Sequence, residues 1–584
     1  MGILGWSYPV LSVKQAGSPF EASARHAIET KTYDYIIVGG GAAGCCLASR
    51  LSEDSSVSVL VLERGPVNDV WYSENPMISS NIYEKALAPP VVWTPSMPVE
   101  GANGRVVDIL QAEALGGGSR VNAMLVTRGP VGDFDHWATL GHPSWGYESL
   151  KPYFSKTEKS LSHKNSAWRG SSGPFVNQTA TIFFDVQHNV RTAAAALGLH
   201  NVSDFNDPDV PVDVCTMLDE AIDENMRRVS SYTAFVPAKL AYERRQRLKI
   251  CPKAVGTRID FEDGVAVGVV FESSDKSIPG TFYAREEGRL FSAPERLPLL
   301  SCYFLGDHLN EHGIKPVVDL PGVGTHLQDH IGIPLEYEVP IQDSVHHLLN
   351  STWKGLFEFA KYMLGFKGVL GSTITPVSIF AHSTHLDDKT AAVLDPLPST
   401  GDRPDVELMT IAYAATDAHV VPPGVGVFSL LLCNLQPKSL GSVRLASADP
   451  HARPNVDLGF LSVAADYVPL RKGVRLARRL AAQVAAQGYP LKDFLLPASE
   501  EDKDVDEFIR EEFRTCYHYS SSCRMARREE GGVVDDELRV YGVRGLRVCD
   551  ASVFPCIPSA HTMIPTITFA ERCADLMKAA AKVQ

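Results

Sequence analysis

Residues 33–65 read YDYIIVGGGAAGCCLASRLSEDSSVSVLVLERG, and the order of residue types in this stretch decides the fold. Tyr35–Val38 is short and apolar, as a buried parallel strand should be. Gly39, Gly41 and Gly44 follow as G-x-G-x-x-G. Small residues from Ala42 and Ala43 onward, with Leu47 and Leu51 at helical spacing, predict a helix over 42–51. A second apolar run, Val57–Leu62, ends at Glu63 and Arg64. Gly39 permits a tight turn, Gly41 lets backbone approach a pyrophosphate, and Gly44 lets helix and strand pack closely. The helix N-terminus then stabilises phosphate charge. Glu63 lies 19 residues beyond Gly44, where a carboxylate can accept both ribose hydroxyls. The glycines alone are a weak signal. Strand, glycines, helix, strand and acid in order predict a Rossmann-like α/β unit for an unphosphorylated dinucleotide, FAD or NAD.

Around this unit, 584 residues are too many for one core and imply two or more lobes. A hydrophobic share of 45% and a charged share of 21% describe an ordinary globular chain. A net charge of −14 argues against nucleic acid or an anionic membrane as the main partner. No apolar run reaches the roughly 18–20 residues of a membrane span. Eleven cysteines without a CxxC pair suggest reduced thiols, and we expect a cytoplasmic protein. The triplets at Asn177, Asn201 and Asn350 point weakly toward secretion. Trp6 stands where myristoylation at Gly2 wants Ser or Thr.

A second glycine-rich block, ALGGGSRVNAMLVTRG (Ala114–Gly129), precedes DFDHW (Asp133–Trp137). Glycine there lets backbone lie flat where a Cβ would collide. With LERG, DLPGVGTHLQDHIGIPL (319–335) and GVVDDELRVYGVRGLRVCDASVFP (532–555), these blocks resemble the GMC (glucose–methanol–choline) oxidoreductases, from Tyr33 to about Ala579. The resemblance implies an FAD-binding domain assembled from separated pieces and an α+β substrate domain on an antiparallel sheet. Residues 1–32 would be an N-terminal extension. Residues 33–150, 225–335 and 510–584 would form the FAD domain, and 151–224 and 336–509 the substrate domain.

It further implies that Gly117, Ser119, Asn122, Ala123, Met124 and Leu125 face flavin or phosphates. Val255 would lie on the adenine side. Asp550, Ala551, Thr562 and Met563 would form the C-terminal return to the cofactor. In CYHYSSSCRM (516–525) the resemblance makes His518 the catalytic base, and in SAHTMIPT (559–566) it makes His561 its partner. Read alone, one histidine among 18 is surface or satisfied core; the flanking blocks single these two out. Alcohol oxidation gives the flavin a hydride and needs a protein group for the hydroxyl proton, which suits imidazole. Expected partners are a small-molecule alcohol and oxygen or another electron acceptor. Oxidase and dehydrogenase stay open, as does a non-redox lyase or cyclase using the same histidines. No metal is expected, because Cys516, His518 and Cys523 lack zinc spacing. A serine hydrolase is not expected, because GGSRV breaks G-x-S-x-G at Val121.

Four departures from the family pattern stand out. Glu113 replaces a basic residue, which lessens positive potential near the phosphates or points to solvent. Val121 replaces the histidine that tethers FAD in some relatives, so FAD is expected to dissociate. Phe291–Leu309 carries Pro294 for a glycine and is about three residues short. YSSSCRM replaces a glycine-containing turn. Arg471–Gln483 reads as a solvated basic helix face.

Overall fold

The computed structural model describes residues 8–20, 30–81, 91–292, 306–388, 390–394, 403–415 and 419–582. Two eight-stranded sheets organise the chain. The first begins with β1 (Lys31–Val38), α1 (Ala42–Leu51) and β2 (Val59–Leu62). β2 lies between β1 and Leu248–Cys251, parallel to both. On the other side of β1 runs Thr281–Ser292, also parallel. The sheet then continues antiparallel through Val265–Ser273 to Ala254–Glu262. Leu546–Val548 joins Thr281–Ser292 in parallel, bringing the C-terminal region back to the front of the chain. Residues 35–38 and 59–62 are apolar and buried, as expected of strands covered on both faces.

The C-terminal helix α2 (Met563–Lys582) packs on α1. Arg50 there binds the fully buried Glu571 carboxylate through Nε (2.8 and 2.9 Å) and Nη2 (2.6 Å). This paired geometry satisfies a charge that would otherwise be costly to bury. The region before β1 is pinned as well, beyond what the sequence alone suggested. Ser18–Pro19 pairs with Thr281–Ser292, Leu11 N donates to Ile250 O, and Tyr8 hydroxyl donates to Val236 O.

The second sheet runs Lys492–Leu495, Ile331–Val339, Gly426–Asn434, Val406–Ile411, Val377–Ala381, Val214–Met217, His200–Val202, with Arg514–Thr515 beside Ile331–Val339. Its neighbours are antiparallel except the last pair. Alternate residues point to opposite faces. Val377, Ile379, Val406, Leu408, Leu430 and Leu432 point one way, toward the long helix Tyr467–Ala486. That helix presents Leu470, Val474, Ala477, Ala481 and Val484 at helical spacing, all buried. A Cβ on Gly473 would come within 2.2 Å of Leu432 Cδ1, so glycine sets how closely helix and sheet approach. The opposite face carries Phe380, Glu407, Met409, Ile411, Leu431 and Cys433 and looks toward the candidate site.

The basic run Arg471–Gln483 is not a solvated face. Arg471 binds Asp506 (2.6 and 2.7 Å), Arg475 binds Asp502 (2.5 Å), and Arg479 binds Glu500 (2.9 and 3.0 Å). The arginines hold Glu500 and the helix Asp502–Glu512 against their own helix. The altered segment around Pro294 lies outside the described residues. The strand before it ends at Ser292, and Gly306–Glu311 is helical after it.

Candidate active site

Gly39 makes the tight turn, and Gly44 the close helix–strand packing, that their spacing predicted. Gly39 has φ 100°. A Cβ on Gly44 would come within 2.0 Å of Gly39 O, so α1 crosses the end of β1 too closely for any side chain. Gly41 begins α1 without a side-chain cap, leaving the amides of Ala42, Ala43 and Gly44 to an external acceptor. The glycine-rich block docks on this turn. Gly116 N donates to Gly40 O at 2.6 Å, and a Cβ on Gly117 (φ 52°) would strike Gly41 Cα at 2.8 Å. Cβ atoms on Gly41 and Gly118 would meet nothing within 4 Å. Two backbone segments therefore touch, with open space beside both.

Glu63, at the end of β2, accepts from Gly40 N and Gly65 N, each at 2.7 Å. Burial pushes its carboxyl up to about 6. Each oxygen keeps a further lone pair for a ribose hydroxyl. Val255 lies beside it, since Ala254 N donates to Glu63 O at 2.8 Å. Glu113 neither points to solvent nor stands as free negative charge. It pairs with Arg64 (3.0 Å) and Arg453 (2.6 Å). Arg64 Nη1 is buried without a hydrogen-bond partner among the described residues. The uncapped helix start, the open glycine surface and this orphaned guanidinium nitrogen fit a dinucleotide carrying phosphates and a ribose.

Two buried arginines escaped the sequence reading. Arg228 binds Asn122 Oδ1 (2.8 Å), Asn122 O (2.7 Å), Ser119 O (3.1 Å) and Ser79 Oγ (2.7 Å), and also Ser80 Oγ. Arg120 binds the carbonyls of Leu115, Val67 and Asn68. They lock the block from behind, 109 residues apart in sequence in the case of Arg228 and Ser119. Ser119 Oγ donates to Gly116 O and accepts from Ser231 N. Asn122 is thus largely engaged by protein, and its Nδ2 donates to Met563 Sδ at 3.1 Å. Ala123 is exposed beside it, Met124 has φ 60°, and Leu125 is buried against the second sheet. Val121 is buried.

The C-terminal return folds over the same place. Asp550 accepts from Ser552 N (2.9 Å) and Oγ (2.5 Å), and Ala551 O accepts from Ser521 N. Thr562 O accepts from Thr566 N as α2 begins. Trp137, fully buried, donates through Nε1 to Cys556 O. Ser559 N donates to Asp133 Oδ2 at 2.6 Å. Both contacts fix the loop leading to His561. His561 N then donates to Thr127 Oγ1 at 2.9 Å.

His518 lies on a strained turn, between Tyr517 (φ 61°) and Ser521 (φ 66°). Its amide donates to buried Asp329 at 2.8 Å. Its Nε2 lies 3.3 Å from His561 Nδ1, and its Nδ1 lies 2.9 Å from His330 Nδ1. His330 Nε2 lies 3.1 Å from Leu435 O, and His561 Nε2 lies 3.3 Å from Glu407 Oε1. The result is one chain: Leu435 O, His330, His518, His561, Glu407. His330 lies in the block DLPGVGTHLQDHIGIPL, where nothing local marks it for a role, and nothing in the sequence around Glu407 marks it either.

Partners decide tautomers in this chain. A carbonyl oxygen only accepts, so His330 carries its proton on Nε2. Burial and the neighbouring His561 push His330 down to about 3, so the ring is neutral and its Nδ1 accepts. His518 therefore donates from Nδ1, and its Nε2 is bare. Burial first, then the neighbouring imidazoles of His330 and His561, hold His518 well below the usual imidazole range. At the far end Glu407 Oε1 lies 3.3 Å from His561 Nε2 and can accept its proton. His561 Nδ1 faces the bare His518 Nε2 at 3.3 Å, close enough for one proton to bridge the two nitrogens.

Family comparison agrees with this architecture. The GMC oxidoreductase N-terminal pattern matches residues 33–331 and the C-terminal pattern matches 437–570. The chain is a GMC oxidoreductase, and its cofactor is FAD. It is 31% identical to Dehydrogenase str4 of Strobilurus tenacellus over 98% of both chains. It is also 31% identical to an oxygen-dependent choline dehydrogenase of Brucella ovis, over 93% of this chain and 95% of that one. The fold matches formate oxidase with TM-score 0.83 at 23% identity, over 94% of this chain and 99% of that one. It matches a fungal aryl-alcohol oxidase with TM-score 0.80 at 22% identity, over the same shares. The GMC fold of this chain, Rossmann-like α/β with an antiparallel second sheet, is thereby shared with FAD-dependent enzymes of the family.

Proposed function

We propose that this GMC oxidoreductase oxidises the CH–OH group of a small or medium alcohol to the carbonyl, with His518 as the base. The chain Leu435 O–His330–His518–His561–Glu407 carries the reading, because it leaves the His518 Nε2 lone pair free. Bound FAD supplies the hydride acceptor. The amides of Ala42–Gly44, with Gly41 and Gly117–Gly118, would lie along its pyrophosphate, and Glu63 would hold a ribose. Asn122–Leu125, Asp550–Ala551 and Thr562–Met563 would border the flavin. FAD would be held non-covalently, since Val121 offers no imidazole.

His518 Nε2 takes the hydroxyl proton, and His561 Nδ1 at 3.3 Å shares it. Glu407, 3.3 Å beyond, offsets the positive charge that arrives. Met409, Ile411, Phe380 and Leu431 give the substrate side an apolar wall, with Phe205 stacked on Phe380 at 4.0 Å. Such a wall suits an aromatic or otherwise apolar alcohol. Relatives named for choline and for aryl alcohols support an alcohol donor. The electron acceptor would be oxygen or another oxidant.

The test is the visible spectrum of FAD-loaded protein mixed anaerobically with a panel of alcohols. At least one aryl or apolar alcohol should bleach the flavin, and His518→Ala should keep FAD and bleach far more slowly. Bound flavin that no alcohol bleaches would overturn the reading.

A further inference from the structure

The strongest unexplained feature of the surface is the helix Thr352–Met363 with the turn that follows it. Trp353, Leu356, Phe357, Met363, Leu364 and Phe366 are all well exposed, Trp353 at 83%. Spacings of three, four and seven put Trp353, Leu356, Phe357, Ala360 and Leu364 on one helical face. That face points outward, and no residue of the helix is buried. Phe359 extends the patch by edge contact with the exposed Trp71, ring centres 5.9 Å apart. A soluble chain scatters such residues; here they are contiguous.

The charges around the patch say what would cover it. Residues 351–375 contain three lysines, Lys354, Lys361 and Lys367, and one acid, Glu358, in a chain of net charge −14. Lys361 is paired with Glu358, which leaves Lys354, at one edge of the apolar face, and Lys367, in the turn after the helix, as the cations of this stretch in no ion pair among the described residues. Glu358 is turned away from the apolar face, accepting from Lys361 Nζ (2.8 Å) and Val369 N (3.3 Å). A second copy of the chain would set lysines against lysines. Anionic headgroups complement them, and Trp and Phe beside Lys are the composition of interfacial helices.

We propose that this helix lays the protein on an anionic lipid surface, with its aromatic face at the boundary of headgroups and acyl chains. Twelve residues rise about 18 Å, too short to span, and no helix among the described residues is long and apolar enough to cross a membrane. The whole-chain charge argued against such a partner; the local charge reverses that at this one edge.

FAD-loaded protein should be sedimented with phosphatidylcholine vesicles, with and without phosphatidylserine. Binding to the phosphatidylserine vesicles should be about tenfold or more stronger. Trp353→Ser with Phe357→Ser should abolish it, and Lys354→Glu with Lys367→Glu should erase the preference for phosphatidylserine, both with unchanged flavin content. Failure to bind either vesicle would overturn the proposal. So would vesicle binding that the Trp353→Ser and Phe357→Ser pair leaves intact. A concentration-dependent dimer that this pair disperses, without vesicle binding, would assign the patch to contact between copies instead.

Discussion

At the C-terminal edge of the parallel strands, the groups offered to a ligand are mostly backbone. Gly41 and Gly118 face open space, α1 begins uncapped, and Gly117 rests on Gly41 because neither has a side chain. At one face of the antiparallel sheet, and in the loops over it, the groups are side chains: His330, His518, His561 and Glu407 in one hydrogen-bonded line. The first arrangement fails when atoms are added. The second fails when atoms are removed. This difference predicts how each half breaks, and which half kinetics or cofactor content will report.

The largest effect belongs to the backbone half. Gly44→Val places carbon where Gly39 O already lies, 2.0 Å from the Cβ position. Helix α1 must move off β1, and the amide cradle moves with it. The expected result is protein purified without FAD, read by the ratio of absorbance at ~450 nm to that at 280 nm. Retention of stoichiometric FAD would mean that the turn does not hold the pyrophosphate.

His518→Ala should do the reverse. The cofactor should stay, because His518 contacts only Asp329, His330 and His561 among the described partners. The flavin reduction rate should fall by about 10²–10⁴-fold, measured by anaerobic stopped flow. In the wild type, kcat/KM should stay flat through neutrality and fall only as pH drops below the usual imidazole range, since protonated His518 cannot act and its affinity for a proton is depressed. An acid limb near pH 6.5 would contradict the burial argument.

The same division explains what the sequence disclosed. Glycine spacing, β-branched runs and the acid after β2 are local, because a backbone cradle is built from consecutive residues. They could be read before any fold was known, as could His518 and His561 through their flanking blocks. His330 and Glu407 could not. They lie 188 and 154 positions from their imidazole partners and meet them only through sheet register. Arg228 and Arg120 were equally hidden, because a buried arginine resembles a surface one until its carbonyl partners are placed. The basic run Arg471–Gln483 misled for the related reason that its acids arrive from later in the chain, Glu500 from a loop and Asp502 and Asp506 from the helix after it.

A smaller effect sharpens the side-chain half. His330→Leu removes the acceptor for His518 Nδ1–H while leaving His518 in place. The tautomer is then unfixed, and flavin reduction should slow by about 10–100-fold, as for other partners that orient a working imidazole. A neutral His330 that accepts from Nδ1–H also helps hold a proton on His518, so its loss should lower the His518 pKa further and move the acid limb of kcat/KM downward. His330→Asn, which offers an oxygen near the former Nδ1 position, should recover part of the rate. Equal loss in both variants with no change in the pH profile would reduce His330 to a packing residue.

The smallest effect should come from the rear of the same sheet. Asp506→Asn removes one partner of Arg471 on the helix face away from the histidines. Both groups are partly exposed, at 27% and 17%, and Asp502 remains 3.2 Å from Arg471. The loss should therefore stay near the surface-pair range, about 0.2–1 kcal/mol, or less than about 1 °C in Tm for a chain of this length. Flavin content, reduction rate and pH profile should not move. If the rate did fall, the helix would be coupled through Leu430 and Leu432 to the Glu407 face. The two faces of this sheet would then not be separable into packing and chemistry.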